Sequence, residues 1–121
     1  IEVFKKYEKP KYGCVFHCFQ PDFESLKYIV DNGYYISFAG RITYQTAKKS
    51  IEIAKIVPND LFLVETDSPF ISPEPRRNKV NETAYIKYII AKIAEVKGLY
   101  YDDIEKMTTE NAKRLFKKLE N

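Results

Sequence analysis

His17 and Asp67 each end a short apolar run, the first in Phe16-His17-Cys18 and the second in Glu65-Thr66-Asp67-Ser68-Pro69. An imidazole and a carboxylate of this kind are divalent-metal donors. His17 is the only histidine of the chain. An open catalytic metal site takes three protein ligands and a closed one four, so two donors fall short. The pair points to metal-dependent chemistry in a chain that carries part of the machinery. Taken singly, Asp67 reads first as a turn or cap residue and His17 as a hydrogen-bonded, half-buried histidine. Their common position at strand ends favours a ligand pair. Strand alternation puts Glu65 on the face of Asp67, and two such carboxylates repel unless a cation or arginine neutralises them. The same alternation turns Cys18 away from His17, which argues against a third ligand there.

The elements that position these residues alternate in type. Gly13 to Phe19 reads as a strand, and Asp22 caps a helix that stops at Asn32-Gly33. Tyr34 to Ala39 is a second strand. A helix is expected from Thr43 to Val57, burying Ala47, Ile51 and Ala54, and Leu61 to Val64 forms a third strand. Residues 68–80 make a proline-rich, basic loop, long enough to suggest function. Asn81 is expected to cap a helix reaching Lys97, with Ile86, Ile89, Ile90 and Ile93 on one face. Asp102-x-x-Glu105 reads as the capping box of a short helix. A last helix from about Thr109 places Ala112, Leu115, Phe116 and Leu119 on one stripe.

Three strand–helix repeats with near-continuously apolar strands indicate a parallel sheet covered on both faces. Functional side chains of such folds gather at the C-terminal ends of the strands. A whole (β/α)₈ barrel needs about 250 residues, so this chain supplies about three of its eight units plus C-terminal helices. Arg76, Arg77 and Lys79 form a basic cluster suited to phosphate oxygens. The N–H groups of the helix expected from Asn81 would reinforce anion binding there. A solvated charged loop is the alternative.

The 121 residues suffice for one domain with a core, and 45% hydrophobic residues with ten Tyr and eight Phe exclude a disordered chain. A net charge of +3 is compatible with a polyanionic substrate without requiring one. Cys14 and Cys18 fit no disulfide framework or zinc ribbon and read as small buried hydrophobes. With neither a membrane-length apolar stretch nor a signal-peptide core, a cytoplasmic protein is expected. A chain opening on Ile1 rather than Met is expected to be a portion of a translation product.

Three segments carry a family resemblance: Gly13-Cys14-Val15-Phe16-His17-Cys18-Phe19, Gly33 to Gly40, and Leu63-Val64-Glu65-Thr66-Asp67-Ser68-Pro69. Arg77-x-x-x-Asn81-Glu82-x-Ala84-Tyr85 and Thr108-Thr109-Glu110-Asn111-Ala112-x-x-Leu115-Phe116 follow in order. Together they resemble the second half of a TatD-type metal-dependent deoxyribonuclease. The resemblance implies one domain over residues 1–121, the C-terminal part of a TIM (β/α)₈ barrel. It makes His17 and Asp67 metal ligands, with Asp67 also orienting or deprotonating the attacking water. Glu65, Ser68 and Arg77 would contact the ligands or the substrate, whereas Asn81 and Glu82 would be mainly structural, closing the loop beneath the site. One or two divalent ions (Zn, Mg or Mn) are implied, with DNA as substrate.

The family's His-x-His strand, bridging Glu and further His belong to an N-terminal half that this chain lacks. Thr83 replaces a usual proline, and Val80 a commonly basic residue. The chain alone is therefore expected to be inactive or nearly so, and to self-associate through exposed sheet edges. Two rival readings are a non-catalytic module binding nucleic acid or a partner, and another metal-dependent hydrolase on the same barrel.

Overall fold

The computed structural model describes residues 1–17 and 22–117. Three parallel strands, β1 (Val15–Phe16), β2 (Tyr35–Phe38) and β3 (Phe62–Val64), form one sheet in that order. Val15 pairs with Tyr35, Phe16 with Ile36, Ser37 with Leu63 and Phe38 with Val64. The sequence connecting each pair contains a helix, α1 (Phe23–Asp31) and then α2 (Lys48–Ile56), as parallel pairing demands. Helices α3 (Ile86–Lys97) and α4 (Tyr101–Leu115) follow.

The register sorts the sheet into two faces. Phe16, Ile36, Phe38, Phe62 and Val64 share one, and all five belong to the cluster built from Leu26 and Ile29 of α1, Ile53 and Ala54 of α2, Ile89, Ile90 and Ile93 of α3, and Ile104 of α4. Val15, Tyr35, Ser37 and Leu63 share the other and lie outside that cluster. The helices therefore cover one face, and the strands present their smaller and more polar residues on the opposite one. No helix among the described residues is long and apolar enough to cross a membrane.

Local signals account for several boundaries. Asp22 Oδ1 accepts the Ser25 N–H at 2.7 Å, filling one of the unpaired donors at the start of α1. Gly98 (φ 67°) ends α3, its N–H turning back to Ala94 and Glu95. Cys14 is a free, half-buried thiol that packs against the core, and burial raises its pKa.

Three boundaries differ from expectation. Helix α2 begins at Lys48 rather than Thr43, because residues 40–44 serve a distant loop. Gly40–Thr43 is a 3₁₀ turn, Thr43 Oγ1 accepts the Glu74 N–H at 2.8 Å, and Tyr44 Oη donates to the Ser72 carbonyl at 2.8 Å. Asn81 caps no helix; α3 starts at Ile86 behind a 3₁₀ turn over Thr83–Tyr85. The pair of helices expected after Gly98 is a single one, α4, and Asp103 rather than Asp102 caps it by accepting the Tyr100 N–H at 3.2 Å. Its buried face is Ile104, Thr108 and Asn111. Phe116, expected on the buried stripe, is 49% exposed, and Leu119 lies outside the described residues.

Candidate functional site

The C-terminal ends of the strands carry the residues expected to do chemistry. Extending the register by one residue sets His17 level with Ser37 and Leu63, and Glu65 level with Ala39. The Glu65 N–H donates to the Phe38 carbonyl at 2.9 Å, so the ladder reaches this far. His17 and Glu65 thus project from the face that the helices leave uncovered, and their side chains meet, His17 Nδ1 standing 3.5 Å from Glu65 Oε1. The imidazole is 76% exposed and the carboxylate 21% exposed. One edge of the imidazole is held by the protein while the remainder opens outward, which suits a ligand oriented by a neighbouring carboxylate.

Asp67 is placed differently. Strand geometry ends at Val64, and Asp67 has φ 54°, so period-two alternation does not carry its side chain onto the face of Glu65. It is exposed, as is Ser68, and its carbonyl accepts the Phe70 N–H at 2.9 Å. Ser68 N–H reaches Thr66 Oγ1 at 3.4 Å. The peptide bonds Ser68–Pro69 and Glu74–Pro75 are cis.

The loop that carries Asp67 is tied down by the side chains of Asn81, Ser72, Thr43 and Tyr44. Asn81 is 4% exposed, and its Nδ2 donates at 2.6 Å to the carbonyls of both Thr66 and Phe70. Ser72 Oγ donates to the Lys79 carbonyl at 2.6 Å, closing the loop on itself. Thr43 and Tyr44 hold it from the neighbouring strand end. Gly40 permits the approach: a Cβ there would lie 2.2 Å from the Ile71 carbonyl oxygen. Ile71 itself has φ 52°, a costly conformation for a β-branched residue, which persists because its surroundings over-determine it. The expected structural role of Asn81, closing the loop, is what its hydrogen bonds do.

The basic cluster expected on this loop does not converge. Arg76 Nε donates to Tyr88 Oη at 3.4 Å, a contact that lowers the tyrosine pKa and raises that of the arginine. Arg77 has a different partner, its guanidinium standing 3.8 Å from the centre of the Tyr44 ring. The helix start expected to assist anion binding at Asn81 lies further on, at Ile86.

Among the described residues no three His, Cys, Asp or Glu side chains come close enough to hold a metal ion. His17 and Glu65 are joined, Asp67 stands on the adjoining loop, and Cys18 lies outside the described residues. The described donors therefore do not make a complete metal site.

A family model described as TatD related DNase matches residues 1–117. The chain belongs to the TatD family. It is 41% identical over 117 residues to the metal-dependent hydrolase YabD of Bacillus subtilis, itself uncharacterized, covering 97% of this chain and 46% of that protein. It is 40% identical over 116 residues to YcfH of Escherichia coli K12, described in the same words, with 96% and 44% covered. The chain thus spans about half the length of the curated relatives it matches. Among solved structures, the TatD homologue YjjV of E. coli superposes with a TM-score of 0.80 at 25% identity, over 88% of this chain and 41% of that one. A TatD family hydrolase from Entamoeba histolytica shares the fold with a TM-score of 0.70 at 20% identity, over 84% and 41%. The TatD-family sheet described above is part of a (β/α)₈ barrel, with about three β/α units and C-terminal helices.

Proposed function

We propose that this TatD-family chain contributes part of the active site of a metal-dependent hydrolase that cleaves phosphodiester bonds, with DNA as its substrate. The observation that carries the reading is the meeting of His17 and Glu65 at the C-terminal ends of β1 and β3, beside the clamped loop of Asp67. The relatives' description as metal-dependent hydrolases and the family's description as DNases support the class. In this reading His17 and Asp67 are two members of a larger set of ligands for one or two divalent ions (Zn, Mg or Mn). Glu65 orients His17, Asp67 positions or deprotonates the attacking water, and Ser68 and Arg77 contact the substrate. A free thiol at Cys14 accords with a cytoplasmic setting. Self-association through the outer edges of β1 and β3 is part of the same proposal.

The test is metal-dependent hydrolysis by the full-length protein, stripped of metal and resupplied with Mg, Mn or Zn, on single- and double-stranded oligodeoxynucleotides. Asp67→Asn and His17→Ala should each lower the rate at least about 100-fold, on the scale of a lost metal-site interaction. Hydrolysis of amides or lactones with no phosphodiester cleaved under any metal would overturn the substrate class. Unchanged rates in both variants would overturn the assigned roles.

A further inference from the structure

A second feature of the same rim lies outside the His17–Glu65 pair. Arg41, Tyr44, Thr46, Lys49, Ser50 and Arg77 line a pocket of about 330 Å³ at the junction of the loop after β2, the start of α2 and the Arg77 loop. Three of these side chains are cations and none is an acid. Tyr44 anchors the arrangement: its hydroxyl is committed to the Ser72 carbonyl, and its ring face carries the Arg77 guanidinium at 3.8 Å. That stacking orients the guanidinium plane while leaving its N–H donors free for an oxyanion.

Two further observations concern what fills the pocket. Helix α2 starts there with no capping side chain, since its N-cap is Ala47, so the first N–H groups of the helix have no side-chain acceptor. Ser50, in the first turn of that helix, is 8% exposed and lines the pocket, and its hydroxyl has no hydrogen-bond partner among the described residues. The Ser50 hydroxyl is not fully enclosed, so it opens onto the pocket, where an oxyanion could accept from it. Lys49 is also within electrostatic reach of Asp22, but that carboxylate already accepts the Ser25 N–H.

We propose that this pocket binds a phosphate group, held by Arg41, Lys49 and Arg77, by the Ser50 hydroxyl and by the open N-terminus of α2. The group is either a free phosphate or phosphomonoester, or a backbone phosphate of a polynucleotide away from the bond being cleaved. The pocket lies at the same end of the sheet as His17 and Glu65, because α2 begins where β2 has ended. The polynucleotide source rests on the phosphodiesterase reading; the phosphate site does not.

The experiment is calorimetric titration of the metal-free full-length protein with inorganic phosphate, then competition with an oligodeoxynucleotide lacking terminal phosphates. Saturable phosphate binding is expected. Lys49→Gln should weaken it about tenfold, the loss of one charge-assisted bond, and Ser50→Ala a few-fold, while Lys55→Gln at the far end of α2 should leave it unchanged. Lys49 is exposed, so its variant is expected to fold, and the melting curve checks this. Displacement of phosphate by the oligonucleotide identifies a backbone subsite, and its failure to displace identifies a phosphomonoester site. Absence of saturable binding, or equal affinities in Lys49→Gln and Lys55→Gln, overturns the proposal. Because no metal is present, hydrolysis lost with phosphate binding intact counts only against the active-site reading.

Discussion

Two buried asparagines hold the two ends of β3 by the same chemistry and to different purpose. At the N-terminal end, Asn111 of α4 is 1% exposed and its Nδ2 donates to the carbonyls of Asn59 at 2.9 Å and Phe62 at 2.8 Å. Its Oδ1 accepts from Arg114, so both ends of the amide are used. At the C-terminal end, Asn81 spends its Nδ2 on Thr66 and Phe70, but its buried Oδ1 has no partner among the described residues. The lower clamp is saturated and joins a helix to a strand. The upper clamp is half-saturated and fixes the loop bearing Asp67. In barrels of this kind the lower end serves stability and the upper end chemistry, and the two amides differ accordingly.

The comparison is sharpest where the lower clamp is removed. Asn111→Ala leaves the Phe62 and Asn59 carbonyls without their donor, and an unsatisfied buried acceptor costs about 1–3 kcal/mol. A loss of about 3 kcal/mol in urea unfolding is expected, with the rate per folded molecule unchanged. A fall in activity at full folding would show that the two ends are not separable. Next in size, Gly40→Ala forces a Cβ against the Ile71 carbonyl and the Pro73 nitrogen, both backbone atoms that cannot rotate aside. Overpacking of this kind costs about 2 kcal/mol, and because the strain falls on the upper loop, activity should drop as well.

Asn81→Ala should be milder in stability and harsher in function. It frees the loop carbonyls of Thr66 and Phe70 and, at a longer contact, that of Ile71, yet it also removes an unpaired buried acceptor, so a net loss of about 1 kcal/mol is expected. Activity should fall by more than this stability loss explains, because the backbone on either side of Asp67 is released. Equal costs for Asn81→Ala and Asn111→Ala, both in stability and in rate, would remove the distinction between the two ends.

What was legible in the sequence divides by distance along the chain. The Asp22 cap and the Gly98 stop use partners three to four residues away, and both stand where local rules put them. The three parallel strands and the placing of His17 at a strand end followed from apolar runs and punctuation, whereas Asp67, expected at a strand end on the face of Glu65, stands on the loop beyond it. The start of α2 was not legible, since Thr43 answers to Glu74, 31 residues away. The loop-closing role of Asn81 was implied by the resemblance, but not its means, since it reaches back 15 residues to Thr66 instead of starting a helix; the Asn111 clamp, reaching back 49 to Phe62, was not legible at all. The basic cluster failed for a related reason. Arg76 and Arg77 are adjacent in sequence, but they are held by different tyrosines, Tyr88 and Tyr44. Arg41 and Lys49, which do share a pocket with Arg77, showed no pattern in the sequence that would link them to it.

The smallest expected effect extends the comparison to the upper end of β1, where the hold is exposed instead of buried. Asp22 caps α1 through the Ser25 N–H, and that bond, made to the ionised carboxylate, draws its pKa below the usual carboxylate value. In the unfolded chain the bond is absent, so between the two values the unfolded state binds more protons than the folded one. The contribution to stability is therefore complete above the ordinary aspartate pKa and is lost as pH falls through the lowered folded value. Asp22→Asn keeps an oxygen acceptor at the cap and removes the titration. Melting temperatures of wild type and variant should diverge at neutral pH and draw together below about pH 4. Because the carboxylate is exposed and screened by solvent, the gap should be small beside that of either asparagine. A gap that stayed constant down to about pH 2 would mean that the ionised carboxylate is not what holds the start of α1.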